Sequence, residues 1–137
     1  KLRVHLQVED GELIIQNELD HPIRSDVTCL EIILINLLEN ALLYGRKIPD
    51  KMEVKISVSE FDGGVELSVC DYGMGIEADV QPYILEPFFK GTDRSRGNGL
   101  GLFLVQKATE KLEGQLSFKS VPNEYTLFSV KLPHLVD

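Results

Sequence analysis

Alternating hydrophobic and polar residues open the chain and predict a pair of short β-strands. The alternation in the first segment comes from Val4, Leu6 and Val8. Because a half-buried strand has this period of two, we expect strands at 2–8 and 13–19, joined by a turn at Asp10-Gly11. Pro22 cannot donate a backbone hydrogen bond to a neighbouring strand and is expected to end the second one.

The hydrophobic period then changes to that of a helix. We expect a helix from about Ser25-Asp26, which can cap its first turn, to about Tyr44, with Gly45 as its C-terminal stop. A helix with one buried face repeats its apolar residues three or four positions apart. The apolar positions that follow it are Leu30, Ile33, Leu34, Leu37, Leu38 and Ala41.

The rest of the chain alternates again, with one long interruption. The remaining predicted elements are strands at 52–60 and 65–70, a second helix at about 100–112, and strands at 115–120 and 125–132. The segment from Asp71 to Gly101 is rich in glycine, proline and charge, and we expect it to be irregular and functional. This order predicts an α+β fold, a two-layer α/β sandwich in which helices cover one face of a mixed, mostly antiparallel sheet.

Size and charge limit the classes of function. The 137 residues are enough for one domain with a buried core. The net charge of −8 argues against nucleic acids and anionic membranes as main partners. Cys29 and Cys70 have neither metal-site spacing nor disulfide-scaffold density, which indicates a reducing, intracellular setting. The start at Lys1 indicates an excised fragment, so a membrane anchor or further domains of the parent can lie outside it.

Two asparagines inside the first helix, Asn36 and Asn40, are candidate metal ligands. Residues four apart share one helix face, and Glu39 lies beside them. Amide and carboxylate oxygens suit Mg²⁺, which proteins usually hold with one or two side chains and the phosphates of a substrate. A polar, solvent-facing stripe is the alternative, and for the pair taken alone it is the better interpretation.

Two glycine-rich motifs give that helix face a possible ligand. The motif DYGMGI at 71–76 allows close backbone approach, and its aspartate can accept a hydrogen bond from the exocyclic amine of adenine. The motif GNGLGL at 97–102 opens the second helix and exposes backbone N–H groups that favour phosphate. The nearby cations Lys90, Arg94 and Arg96 are natural partners for phosphate oxygens. The alternatives are an ordinary turn for 71–76, a flexible hinge for 97–102 and a solvated loop for the three cations.

In this order the motifs resemble those of the ATP-binding catalytic domain of sensor histidine kinases, in the superfamily shared with DNA gyrase, Hsp90 and MutL. The segment Asn36–Tyr44 looks like the N box, 71–76 like the G1 box, Pro87–Phe89 like the F box, 97–102 like the G2 box and Tyr125–Pro133 like the closing strand. The resemblance covers nearly the whole chain. It implies a Bergerat-type ATP-binding fold in which residues from about 78 to 98 form the ATP lid.

The resemblance also implies a role for each matching residue. Asn40 would be the main Mg²⁺ ligand, and Asn36 would contact the metal or a phosphate. Asp71 would bond the adenine amine, and Glu39 would assist phosphoryl transfer unless it is a solvated helix carboxylate. The remaining implied contacts are Tyr44 and Ile76 with adenine or ribose, Gly73 and Gly75 in admitting the nucleotide, and Gly97, Gly99, Leu100, Gly101 and Leu102 with the phosphates.

One position departs from the family pattern. Members often carry a lysine or arginine just before the N-box tyrosine, aimed at the phosphates, whereas this chain has Leu43. Lys47 would lie one turn further along the same face and is a candidate substitute, as are the three lid cations Lys90, Arg94 and Arg96.

The activity implied is that of a protein-histidine kinase, in which the γ-phosphoryl group of Mg-ATP passes to a histidine on a separate dimerisation helix and then to a response regulator. The three histidines, His5, His21 and His134, lack the helical setting of a phosphoacceptor. Two alternatives stay open: a hydrolase or serine kinase of the same superfamily, and a degenerate nucleotide sensor or docking module. Asn36 argues against the hydrolase, because gyrase-like ATPases carry a glutamate base there, and Leu43 supports the sensor.

Overall fold

The computed structural model describes residues 2–8, 11–20, 22–44, 52–89 and 100–133. Within them the chain forms six strands and two α-helices. In chain order these are β1 Leu2–Val8, β2 Gly11–Asn17, α1 Val27–Tyr44, β3 Met52–Phe61, β4 Gly64–Asp71, α2 Gly101–Lys111, β5 Gln115–Val121 and β6 Tyr125–Leu132. A short 3₁₀ helix, Gln81–Tyr83, precedes α2. Neither α-helix in this part of the chain is both long and apolar enough to cross a membrane.

The described strands form one mixed sheet in the order β1-β2-β3-β4-β6-β5. β2 and β3 pair in parallel, and α1 lies between them in the chain, as a parallel connection requires. The other four neighbouring pairs are antiparallel. The predicted α+β fold with a mixed, mostly antiparallel sheet is therefore confirmed.

The core lies between α1, α2 and one face of this sheet. On α1, Cys29, Ile33, Leu37 and Ala41 are buried, because a spacing of four keeps them on one side of the helix. Val105 and Ala108 of α2 join the same cluster. The strands contribute alternate residues, which on β4 and β6 are Val65, Leu67, Val69, Phe128, Val130 and Leu132. The helices thus cover one face of the sheet, as predicted.

Helical spacing alone predicts that Leu34 points inward, and here the prediction is wrong. Leu34 is 36% exposed, whereas Cys29, which was not among the expected positions, is 3% exposed. Leu34 directly follows Ile33 and therefore lies about 100° further round the helix. Since the row through Ile33 and Leu37 faces the sheet, Leu34 turns towards solvent.

The second strand also differs from expectation, because β2 begins and ends two residues earlier than 13–19. Gly11 pairs with Val8 of β1, so it belongs to the strand and not to the turn. At the other end, the Asn17 side chain accepts a hydrogen bond from the Leu19 N–H at 2.9 Å. Such a local side-chain bond competes with the strand ladder and ends β2.

Asp26 caps α1, as the sequence predicts. Its Oδ1 accepts a hydrogen bond from the Cys29 N–H at 3.0 Å, and Lys111 at the end of α2 lies 3.9 Å from Oδ2. The Cys29 bond, together with the charge of Lys111, lowers the pKa of the Asp26 carboxyl below its ordinary value of 3.8. The ionised form is therefore the one that supports the folded state.

Replacing Asp26 with alanine is expected to lower the melting temperature by a few degrees, because an N–H group in the first turn of α1 loses its partner. Asp26→Asn is the matched control, since an amide oxygen accepts the same bond. A lowered pKa means that the carboxylate stabilises the fold above pH 3.8 and loses this effect as pH falls through the folded-state value. The difference in melting temperature between wild type and Asp26→Ala should therefore be smaller near pH 3 than near pH 7. Equal melting temperatures for wild type and Asp26→Ala near pH 7 would contradict the cap.

Candidate functional site

Asp71 ends β4 on the face of the sheet that the helices cover. It continues the alternation of the buried residues Val65, Leu67 and Val69, and it is itself only 2% exposed. Since strand residues alternate between faces, its carboxyl lies on the same side as these core side chains. Thr126 of β6 pairs with Asp71 in the sheet register and is buried too. The end of β4 thus places polar groups at the margin of an apolar layer.

Burial changes the charge properties of Asp71. Burial raises the pKa of the carboxyl from 3.8 to about 6, while a hydrogen bond from the Gly73 N–H opposes that rise. This bond reaches Oδ1 at 3.1 Å. At neutral pH the group is therefore mainly ionised, and among the described residues its hydrogen bond is to Oδ1.

The turn after Asp71 packs closely against the β5–β6 hairpin. Gly75 has a φ of 68°, which only glycine adopts without strain. A Cβ atom at this position would also collide with the Val121 carbonyl oxygen. The Asn123 N–H, between β5 and β6, donates to the Met74 carbonyl at 2.6 Å. Glycine is thus required at position 75 by its own dihedral angle and by the neighbouring hairpin.

Ser120 of β5 lies at the centre of the hydrogen bonds that hold this turn. Its Oγ accepts from the Ile76 N–H at 2.7 Å and donates to the Tyr125 carbonyl at 2.9 Å. The Thr126 hydroxyl lies 2.9 Å from the same oxygen. The Gln81 side chain bridges the two segments, because its Nε2 donates to the Ile76 carbonyl at 2.9 Å and to the Ser120 carbonyl at 3.4 Å.

None of the residues Ser120, Thr126 and Gln81 was predicted as part of a site. A signal existed for the two hydroxyls, because they continue the inward series of apolar residues that includes Phe118 on β5 and Phe128 on β6. A polar residue at such a position indicates a buried polar contact. Gln81 lies in the irregular segment, and no pattern in the sequence distinguishes it.

Asn36 brings the middle of α1 against the start of α2. Its Nδ2 donates to the Ile32 carbonyl at 2.7 Å, so Oδ1 remains as the acceptor. A Cβ atom on Gly101 would lie 3.3 Å from that Oδ1, which makes glycine the residue that keeps this approach open. Asn40 is half-buried and lies one turn further along the same helix face. Asn36 and Gly101, predicted to share a ligand, are therefore close neighbours.

The beginning of α2 and the turn after β4 pack on the same core. Leu102 in the first turn of α2 and Ile76 at the end of the 73–76 turn both contact the core cluster. α2 begins at Gly101 without a polar capping side chain, since Leu100 precedes it. The first backbone N–H groups of a helix lack intrahelical partners and, with the helix dipole, favour an anion.

The remaining predicted site residues are exposed, end a helix or lie outside the described residues. Glu39 is exposed, which suits a solvated carboxylate as well as a group that meets an incoming acceptor. Leu43 is 39% exposed, and Tyr44 is the last residue of α1. The predicted contacts that lie outside the described residues are Lys47, Lys90, Arg94, Arg96, Gly97 and Gly99.

Proteins of known family are similar to most of this chain. The family described as "Histidine kinase-, DNA gyrase B-, and HSP90-like ATPase" matches residues 25–136. The signal transduction histidine-protein kinase AfsQ2 of Streptomyces coelicolor is 33% identical over 113 residues, which cover 80% of this chain and 20% of that protein. The sensor-like histidine kinase SenX3 of Mycobacterium tuberculosis is 34% identical over 116 residues, 82% of this chain and 28% of that protein. The chain therefore spans less than a third of these curated relatives.

A solved structure agrees with the sequence match. The crystal structure of full-length ShkA in complex with AMPPNP has a TM-score of 0.76 at 26% identity, over 94% of this chain and 27% of that chain. The family match includes both asparagines of α1, Asp71 and the start of α2. Fold and sequence thus confirm the resemblance that the motifs indicate. The chain belongs to the histidine kinase-, DNA gyrase B- and HSP90-like ATPase family.

Proposed function

We propose that this chain binds Mg-ATP and supplies its γ-phosphoryl group to a histidine on a separate dimerisation domain of a two-component sensor kinase. The observation that carries the proposal is Asp71, a carboxylate that is buried beside an apolar layer. Within the described part of the chain it accepts a hydrogen bond from one backbone N–H, that of Gly73. An ionised carboxylate in this setting destabilises the fold unless donors reach both of its oxygens. A ligand amine that bonds Oδ2 would offset that penalty.

Adenine fits the Asp71 end of the site. Its exocyclic amine would donate to Oδ2, while Oδ1 keeps its bond from the Gly73 N–H. Ile76, which already contacts the core cluster, would supply an apolar contact to the base or ribose, and Tyr44 would do so from the end of α1. Gly73 would leave space for the base beside the turn, whereas the space next to Gly75 is taken by the Val121 carbonyl. Recognition of adenine would thus rest on one carboxylate and on the apolar side chains around it.

The start of α2 fits the phosphates. Its first backbone N–H groups, at Gly101 and Leu102, would contact phosphate oxygens, as would the preceding residues of the GNGLGL motif. Asn40 and Asn36 would hold Mg²⁺, and the fit rests on the Asn36 amide, whose Nδ2–Ile32 bond leaves Oδ1 facing Gly101. Amide oxygens are hard ligands of the kind that Mg²⁺ accepts. A bound Mg²⁺ would offset the negative charge of the phosphate oxygens.

Phosphoryl transfer would depend on positioning and on charge. The acceptor would be a histidine on the parent's dimerisation helices, since His5 of this chain lies in β1 and not on a helix. Glu39, exposed on α1, would polarise the incoming imidazole. Lys47 and the lid cations Lys90, Arg94 and Arg96 would supply positive charge at the phosphates. A response regulator would receive the group next, and we place the domain in the cytoplasm, where ATP is available.

The test combines this domain with the parent's dimerisation segment and ATP labelled on the γ-phosphate. We expect acid-labile, base-stable label on the segment, which is the signature of phosphohistidine. A segment whose acceptor histidine is replaced by glutamine should stay unlabelled. Steady ATP hydrolysis without transfer to the segment would favour the ATPase of the same superfamily.

A second measurement separates a catalytic domain from a degenerate docking module. A ligand that binds the native state must raise the melting temperature. We expect Mg-ADP at about millimolar concentration to raise it by several degrees. No change would contradict nucleotide binding altogether.

A further inference from the structure

We propose that Ser120 is a positioning residue for adenine recognition. Its hydroxyl fixes the 73–76 turn beside Asp71 and so sets the preference for a 6-aminopurine over a 6-oxopurine. The inference rests on the proposed function and deepens it, because it assigns selectivity to a residue that does not touch the nucleotide.

The hydroxyl of Ser120 has every hydrogen-bonding position in use. A serine hydroxyl can donate once and accept twice. It donates to the Tyr125 carbonyl at 2.9 Å and accepts from the Ile76 N–H at 2.7 Å. The Thr126 hydroxyl, at 2.9 Å, then occupies the second acceptor position as a donor. A half-buried hydroxyl whose hydrogen-bonding positions are all in use rigidifies the segments that it joins.

The register of the sheet links Ser120 to Asp71, the carboxylate proposed to bind the adenine amine. Ser120 pairs with Thr126, and Thr126 pairs with Asp71, so the three side chains form one row across β5, β6 and β4. The sheet fixes the ends of this row relative to each other. The turn between them is held at both ends, because the Gly73 N–H bonds Asp71 and the Ile76 N–H bonds Ser120.

Removal of the hydroxyl would release one end of the turn. The Ile76 N–H would lose its acceptor, and the Thr126 hydroxyl would be free to rotate. The backbone beside Asp71 could then relax, and a ligand that lacks the adenine amine would no longer meet a fixed arrangement of groups. Discrimination between the two kinds of purine depends on such fixed, unmatched polar groups. A general loss of stability instead weakens the binding of every purine nucleotide equally.

The test measures the Kd of Mg-ADP and Mg-IDP by calorimetry, since the two differ at the 6-position of the purine. In Ser120→Ala we expect the ratio of the IDP Kd to the ADP Kd to fall about tenfold, which is the loss of one net hydrogen bond. Ser120→Thr keeps the hydroxyl and should keep the ratio. Ser117→Ala is the matched control, because Ser117 is an exposed residue of the same strand on the opposite sheet face.

The outcomes separate this inference from the proposed function. An unchanged ratio in Ser120→Ala would overturn the inference, even with a lower melting temperature. If that variant does not fold, Gln81→Ala replaces it, because Gln81 bridges the same two segments, and an unchanged ratio there would overturn the inference as well. Wild-type protein that binds neither nucleotide would contradict the proposed function itself.

Discussion

Asp71→Asn is expected to stabilise the ligand-free protein while weakening its binding of adenine nucleotides. Burial raises the pKa of Asp71 from 3.8 to about 6, so at neutral pH the fold carries a buried charge that it would hold more easily as the neutral acid. A change of that size corresponds to about 3 kcal/mol. The amide is neutral and its oxygen can still accept from the Gly73 N–H. Chemical denaturation near pH 7 should therefore give a larger free energy of unfolding for the variant.

The gain should depend on pH in a defined direction. Because the folded-state pKa lies above the unfolded one, proton binding stabilises wild type below pH 3.8, and this stabilisation is lost as pH rises to about 6. The variant lacks this titration. Its advantage should therefore be full above about pH 6 and disappear below about pH 4. An advantage that stays constant across this range would contradict the assignment to Asp71.

The same substitution should reverse the selectivity of the site. With its oxygen on Gly73, the asparagine would turn an N–H towards the exocyclic amine of adenine, so two donors would face each other. We expect the ADP affinity to fall by about tenfold to hundredfold, and IDP to become the better ligand, since its 6-oxo group accepts that N–H. Asp62→Asn is the control, an exposed position in the β3–β4 turn at which neither property should change.

Asn40→Ala is expected to remove the Mg²⁺ dependence of nucleotide binding. Asn40 lies one turn beyond Asn36 on the half-buried face of α1, and its amide oxygen is the proposed main ligand. Loss of a ligand to a charged centre is worth about 3 kcal/mol, or about a hundredfold in Kd. Alanine is the best helix former, so α1 should stay folded and the loss should not come from unfolding. Titration of ADP with Mg²⁺ and with a chelator measures the effect.

Asn40→Asp tests the same site in the opposite way. A carboxylate keeps an oxygen ligand but places a negative charge beside the phosphates, so productive binding should again fail. Leu42→Ala serves as a control on the same helix, because Leu42 is 48% exposed and has no proposed role. If the chelator weakens ADP binding equally in wild type and Asn40→Ala, the metal assignment is wrong.

The regular elements were predictable because their side chains alternate or repeat with the period of the structure. β6 has the predicted bounds, and β4 differs by one residue at each end. The errors have local causes that a period does not contain. The side chain of Asn17 ends β2 by accepting the Leu19 N–H. The row of α1 that faces the sheet runs through Cys29, Ile33 and Leu37, so Leu34 turns towards solvent.

The candidate site was predictable only where its residues stand in recognisable motifs. Asn36, Asp71 and Gly101 follow such motifs, and the last two lie at the ends of regular elements. Ser120 and Gln81 were not predicted because each matters through a hydrogen bond with the Ile76 backbone. In the sequence Ile76 is 44 residues from Ser120 and 5 residues from Gln81. A sequence pattern does not encode which backbone N–H a distant hydroxyl will meet. Pairing of β5 with β6 has to be known first.

The order of strands has a consequence for the newly made polypeptide during translation. Among these elements β1 and β2 leave the ribosome before the others, but β2 joins the sheet through β3, which is made after α1. β4 and its Asp71 come next, yet the 73–76 turn is held by the β5–β6 hairpin, which is synthesised later still. A nascent chain that ends before Ser120 therefore has the carboxylate without the fixed turn beside it. On the proposed function, nucleotide in the cell would therefore stabilise this protein fully once the closing hairpin has been made.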